Sequence, residues 1–461
     1  MSPPTPGRDW ESLPVEISLS ILKELSDLTA LHNYLEASPA AARVFDTYGA
    51  EIVEANLASG AVHRYTGPLI RMSAYIRAGV DLPGVSNLKD FQHMGNSETT
   101  EHTYKPPHWT RPPLRLDASI VPASVLRGVL VSHYRLERLM VGCLSTYLAR
   151  FRNMPPPMHV ADEDFVWESE FRGPNKTEFV GAWEQQPAAV PVVKRDEGPP
   201  KWCEEQRVLR ASWRLQVHED LKAAAAAGEL NWPDSDVCGV QRFETIYLLN
   251  PTCAGWFNKN SGTTDWLRQL ICLEDELVYT VMDYVEDMEG VANITAAAAL
   301  DTLPKTRDYP APVSCRQHVL EVESYWSEMM TVLEVVHNPD DSHHAYGEVS
   351  PLQRVPWDFY RRRGFAFWCE ARMQGYGLID TWPRFAPVTT LPEVKCAPFE
   401  WNSLFLAWRS VLTEGELAEA NRINEKGQAE ELLPTPRMTD RYCSVLRNIT
   451  PDVFRAPHVD T

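Results

Sequence analysis

His337, His343 and His344 flank an Asn-Pro-Asp-Asp-Ser run that contains Asp340 and Asp341. Imidazoles and carboxylates at that density can hold a divalent metal. The run is a Pro- and Asp-containing loop, however, and lacks the His-Glu-x-x-His spacing that sets two imidazoles on one helix face. A polar surface loop accounts for it, and His102 and His108 read the same way. An acidic cluster holds Glu274, Asp275, Glu276, Asp283, Glu286, Asp287 and Glu289. Paired carboxylates can do general acid–base work. But Ile271, Leu277, Val278, Val281 and Val285 give the same stretch an apolar side, so a solvated helix face, or one turned toward the helix of Arg207, Arg210 and Arg214, is the simpler expectation. Arg207, Arg210 and Arg214 fall at i, i+3 and i+7. Guanidinium forks suit phosphate or carboxylate, and in so acidic a chain they are expected to pair with its own carboxylates. No Gly-x-Ser-x-Gly elbow, P-loop or Gly-x-Gly-x-x-Gly occurs. No catalytic residue, metal site or cofactor is expected, and the protein should act by contact.

The composition bounds what that contact can be. The 461 residues are 44% hydrophobic and 23% charged, ordinary proportions for a soluble globular chain with a sizeable core. The net charge of −19 opposes binding to nucleic-acid phosphates, which needs clustered Lys and Arg, and opposes docking on anionic membranes. The opening "MSPPTPGRDWESLP" shows neither an apolar leader nor an Arg-rich amphipathic helix. No apolar run approaches the roughly 20 residues of a membrane span. Nine scattered Cys without a Cys-x-x-Cys fit free thiols in a reducing compartment. An intracellular protein, in cytoplasm or nucleus, is expected.

Helical periodicity dominates the elements that must position these residues. Long helices are expected over 122–151, 199–227, 263–289, 312–337 and 356–374, and shorter ones over 239–249, 400–412, 414–425 and 438–447. Pro122 is placed to start the first of them, and Gly228 to end the second. Strand pattern is confined to weak signals near 189–194. The fold class is all-α. Loop-rich insertions are expected near 81–120 and 152–200, which carry Pro, His and Asn but few apolar repeats. Trp213 and the aromatics Trp357, Phe359, Tyr360, Phe365, Phe367 and Trp368 suit interior helices, because they fall on several faces.

The N-terminal stretch "LPVEISLSILKEL" starts at Leu13. On a helical wheel Val15, Ile17, Leu19, Ile21, Leu22 and Leu25 span an arc of roughly 200°, about twice an ordinary surface helix. Such a helix must bury two sides, one against its own small domain and one against the rest of the chain or a partner. Asp27 or Ser26 can cap a second helix, and Ser38 with Pro39 can open a third. Three short helices make a very small core, marginal alone.

Leu13-Pro14-x-Glu16-Ile17-x-x-x-Ile21-Leu22-x-x-Leu25 resembles the first half of an F-box. "SPAAARVFDTYGAEIVEANL" (38–57) resembles the form common in fungal proteins. "PPKWCEEQRVLRASWRLQ" (199–216) and "RRRGFAFWCEARMQGYGL" (361–378) look like segments that recur after the F-box in those largely uncharacterised proteins. Phe45 and Tyr48 stand where better-studied F-boxes often carry other aromatic or cysteine-tryptophan marks. The resemblance implies a three-helix F-box-like module over 10–60 and a large irregular helical domain over 61–461. It also implies an adaptor that docks on the Skp-type linker of a cullin–RING ubiquitin ligase and recruits an unknown protein substrate. Leu13, Pro14, Glu16, Ile17, Ile21, Leu22 and Leu25 are the implied partner-binding residues. The alternative is a helical interaction scaffold with an F-box-like fold and no ligase role.

Overall fold

Pro14 opens the first helix, α1 (Val15–Lys23). It cannot donate a backbone hydrogen bond, and its carbonyl accepts from the Ile17 and Ser18 amides at 3.1 and 3.0 Å. Glu16 in the first turn and Lys23 in the last match the helix dipole. Asp27 caps α2 (Leu28–Ala37) by accepting from the Ala30 amide at 2.6 Å. Ser38 caps α3 (Pro39–Ala58) by accepting from the Ala41 amide at 3.2 Å, with Pro39 at the first helical position as expected. A computed structural model describes these helices and the rest of residues 13–60, 62–99, 114–161, 187–242, 277–288, 303, 358–378 and 406–427.

The remaining described elements are α4 (Thr66–Arg77), α5 (Leu88–Thr99), α6 (Ala123–Arg152), β1 (Met158–Val160), β2 (Ala189–Pro191), α7 (Trp202–Ala227) and α8 (Asp234–Arg242). They continue with α9 (277–288), α10 (Asp358–Arg361), α11 (Glu370–Gly375), α12 (406–410) and α13 (Glu414–Gly427). Helix makes up 67% of the interpretable residues and strand 3%, so the class is all-α. The two strands form an antiparallel ribbon with Met158 opposite Pro191 and Val160 opposite Ala189.

The core is organised on α6 and α7. Helix α7 is buried on nearly every side from Glu204 to Leu221, polar residues included, as an interior helix should be. It packs on α4, α6 and α8, while α2 and α3 pack on α6. Gly228 ends α7 in the left-handed conformation, φ 73°. Trp213 has no exposed surface and stacks on His133 of α6, ring centroids 6.1 Å apart.

Several expectations are corrected. Residues 356–374 do not form one helix: α10 and α11 are separate, with tight turns between them. Gly364 causes the break. It sits at φ 69°, and a Cβ there would lie 2.9 Å from Tyr147 Cβ, so the chain folds back there on α6. Phe365, Phe367 and Trp368 are nonetheless fully buried. The loop-rich stretch 81–120 contains a helix, α5, capped by Asn87, which accepts from the Asp90 amide at 2.8 Å. No helix was expected over Thr66–Arg77 (α4), which carries Gly67 and Pro68 near its start. Both lie in its first turn, where a missing N–H leaves no bond unmade. The helix expected over 239–249 begins earlier, at Asp234. The expected helices at 312–337 and 438–447 lie outside the described residues.

Candidate functional site

Helix α1 divides its apolar arc between the protein interior and solvent. Leu22 is completely buried, and Leu19 and Leu25 are packed partly against the core. On the other side Pro14 and Glu16 are exposed, and Val15 and Ile17 keep 48% and 49% of their surface. Leu13 and Ile21 lie between these extremes. Six of the seven implied docking residues therefore keep some exposure. Leu22 is the exception: packing of α1 on α3 seals it, so it anchors the helix. The Asn56 side chain of α3 donates to the Leu22 carbonyl at 2.9 Å, and Lys23 pairs with Glu51. Tyr48, where α3 kinks at φ −120° and ψ 18°, is the third large apolar side chain these helices expose.

Helices α2 and α3 are held to α6 by side chains from both partners. Arg127 reaches back to Asp46 and to the Ala42 carbonyl, each at 2.7 Å, and lies over the Phe45 ring. Thr29 donates to Glu137, and His32 faces Tyr134 at 5.1 Å between centroids. Gly49 admits this approach, since a Cβ there would come within 3.2 Å of Leu126 and Phe45.

The segments 199–216 and 361–378, distant in the chain, meet in the core. The buried Glu204 carboxylate accepts from Arg372 Nε and Nη2 at 2.9 and 3.0 Å, from the Cys369 amide at 2.9 Å and from the Lys201 amide at 2.8 Å. Burial opposes its charge, but the Arg372 guanidinium and the amides outweigh that and hold its pKa below the usual carboxylate value. Arg207 donates to the Phe367 and Trp368 carbonyls, both at 2.8 Å.

The Arg row lies on the interior helix α7, as expected. Arg207 and Arg214 are buried. The described Arg207 bonds go to backbone carbonyls, and Arg210 lies 6.0 Å over the Tyr65 ring. Buried carboxylates of α7 pair with arginines from elsewhere: Glu204 with Arg372, and Asp220 with Arg77 at 3.0 Å. In the described part of the acidic cluster, Asp283 pairs with Arg361 and Asp287 with Arg150, arginines of other elements. Glu274, Asp275, Glu276 and Glu289, together with His102, His108, His337, His343 and His344, lie outside the described residues.

One open cleft of about 760 Å³ lies between the C-terminal turns of α6, Arg362–Arg363 and the start of α13. Arg363 is engaged there by a forked pair with Glu416 at 2.9 and 2.6 Å. In the same cleft the Thr413 hydroxyl donates to Glu416 Oε2 at 3.1 Å. No described helix is long and apolar enough to cross a membrane. No protein-family model, no curated protein and no solved structure matches the chain.

Proposed function

We propose that the chain is an F-box-type adaptor. Helix α1 docks on the Skp-type linker of a cullin–RING ubiquitin ligase, and the larger helical body recruits a protein substrate. The half-open apolar face of α1 carries this reading: Val15 and Ile17 stay about half exposed on a helix whose opposite side is sealed by Leu22. Fully burying a Val or Ile contributes about 1.5–3 kcal/mol, so each has roughly half of that still to gain from a partner. The Leu13-Pro14-x-Glu16-Ile17 pattern supports the same assignment.

A second reading rests on the packing of α2 and α3 against α6. On that reading the N-terminal helices belong to one interaction scaffold that assembles with no ligase. Co-purification of the full chain with the linker separates the two. Ile17→Asp and Ile21→Asp place a charge in the interface and should abolish capture, while circular dichroism stays unchanged. Leu22 is left intact because its loss would unfold the module. Undiminished capture by both variants, or none by the unmutated chain, removes the adaptor reading.

A further inference from the structure

Each of the two segments that meet at Glu204 brings one thiol. Cys203 is the second residue of α7, and Cys369 is the residue that precedes α11. The Cys369 amide is fixed on Glu204, the residue after Cys203, at 2.9 Å. Arg372 clamps the same carboxylate, and Arg207 holds the carbonyls of Phe367 and Trp368 from the next turn of α7. This framework sets the two cysteines beside each other, since the carboxylate that holds the Cys369 amide belongs to the residue after Cys203. Cys203 is partly accessible and Cys369 is 5% exposed.

The environment separates the two thiols chemically. The hydrogen bond from Cys369 lowers the Cys203 pKa despite burial, with help from Arg207 and Lys201. The same hydrogen bond, burial and the Glu204 charge push Cys369 up. A thiolate within reach of solvent beside a protonated, shielded thiol is the arrangement in which one sulfur is oxidised first and the other resolves it.

We propose that Cys203 and Cys369 form an oxidisable dithiol, closed by a hydroperoxide into a disulfide that ties the start of α7 to segment 361–378. The Cys203 thiolate attacks the terminal peroxide oxygen. The O–O bond breaks, the departing alkoxide or hydroxide takes up a proton, and Cys203 becomes a sulfenic acid. The Cys369 sulfur then attacks the Cys203 sulfur. The S–S bond forms, and the hydroxyl leaves with the Cys369 proton as water. Two thiols and one hydroperoxide thus give one disulfide, one alcohol or water, and one further water. This site is independent of the docking face on α1.

The test uses the full chain, purified reduced, treated with hydrogen peroxide, then unfolded and alkylated for peptide mapping without reductant. The expected result is a Cys203–Cys369 linked peptide pair, lighter by two hydrogens than the separate peptides and released by dithiothreitol. Both thiols are lost to alkylation, while Cys143 and Cys238 remain alkylated. In Cys369→Ala, Cys203 should instead be trapped as a sulfenic acid by dimedone. If that variant fails to fold, the map of the unmutated chain decides alone. Full alkylation of Cys203 and Cys369 after peroxide overturns the proposal. So does Cys203 sulfinic acid beside a free Cys369, or linkage of either residue to another cysteine.

Discussion

His63 shows how one residue can record its surroundings. Its Nδ1 accepts from the Tyr65 amide at 3.3 Å, and its own amide donates to Gln206 Oε1 at 2.8 Å. Burial, and then the positive charges of Arg210, Arg64 and Arg207, lower its pKa from 6.5 to about 3. A protonated ring would lose its acceptor and meet three guanidinium groups. The folded value lies below the unfolded one, so the neutral ring's contribution is fully present above 6.5 and is lost as pH falls toward about 3. Urea melts of the full chain should show stability declining from pH 6.5 downward, before most carboxylates titrate. In His63→Gln that early part of the decline should flatten. An unchanged slope would place the acid sensitivity elsewhere.

Among the elements, the turn between α10 and α11 constrains the chain most sharply. Gly364 is at φ 69° with Tyr147 behind it, whereas Gly228 is at φ 73° with nothing within 4 Å. A side chain in the left-handed region costs about 1–2 kcal/mol for either. Gly364→Ala adds a collision with Tyr147, a residue whose hydroxyl donates to the Thr280 carbonyl at 3.0 Å and whose ring meets Phe367 edge-on at 5.7 Å. Denaturant melts should therefore rank Gly364→Ala as clearly more destabilising than Gly228→Ala. Equal losses would mean that the turn relaxes away from α6. The kink at Tyr48 belongs to the same scale, because it lets α3 bend while Gly49 stays against Leu126.

At the scale of the molecule, the N-terminal helices do not close a core by themselves. Their buried residues, Leu28, Leu31, Val44, Phe45 and Ile52 among them, join one continuous cluster with α6 and α7. A fragment of residues 1–60 should consequently show weak helicity and no cooperative thermal transition, although it holds all three helices. Circular dichroism of the fragment beside the full chain checks this. A cooperative melt of the fragment would show a self-sufficient module. The pairing of Glu204 with Arg372 works at the same scale, since it joins segments that chain connectivity leaves free to separate.

The sequence by itself determined what is local. The caps Asp27 and Ser38, the close of α7 at Gly228 and its burial on nearly all sides were legible, because capping and amphipathic spacing act within one or two turns. The start of α4 and the caps of α5 were also written in local residues, but Gly67, Pro68 and Asn87 look the same in loops as in helix first turns. Tertiary structure decided the rest. Nothing in the spacing of residues 356–374 announces the turn at Gly364, since it exists to fit Tyr147. Nothing in the spacing of Leu22 and Ile17 says which faces α3 and which faces solvent, because both lie in one apolar arc and only the partner helix divides it. The meeting of Cys203, Glu204, Cys369 and Arg372 has the same cause: contacts between segments distant in the chain are chosen by how the core closes and leave no periodic trace in the sequence.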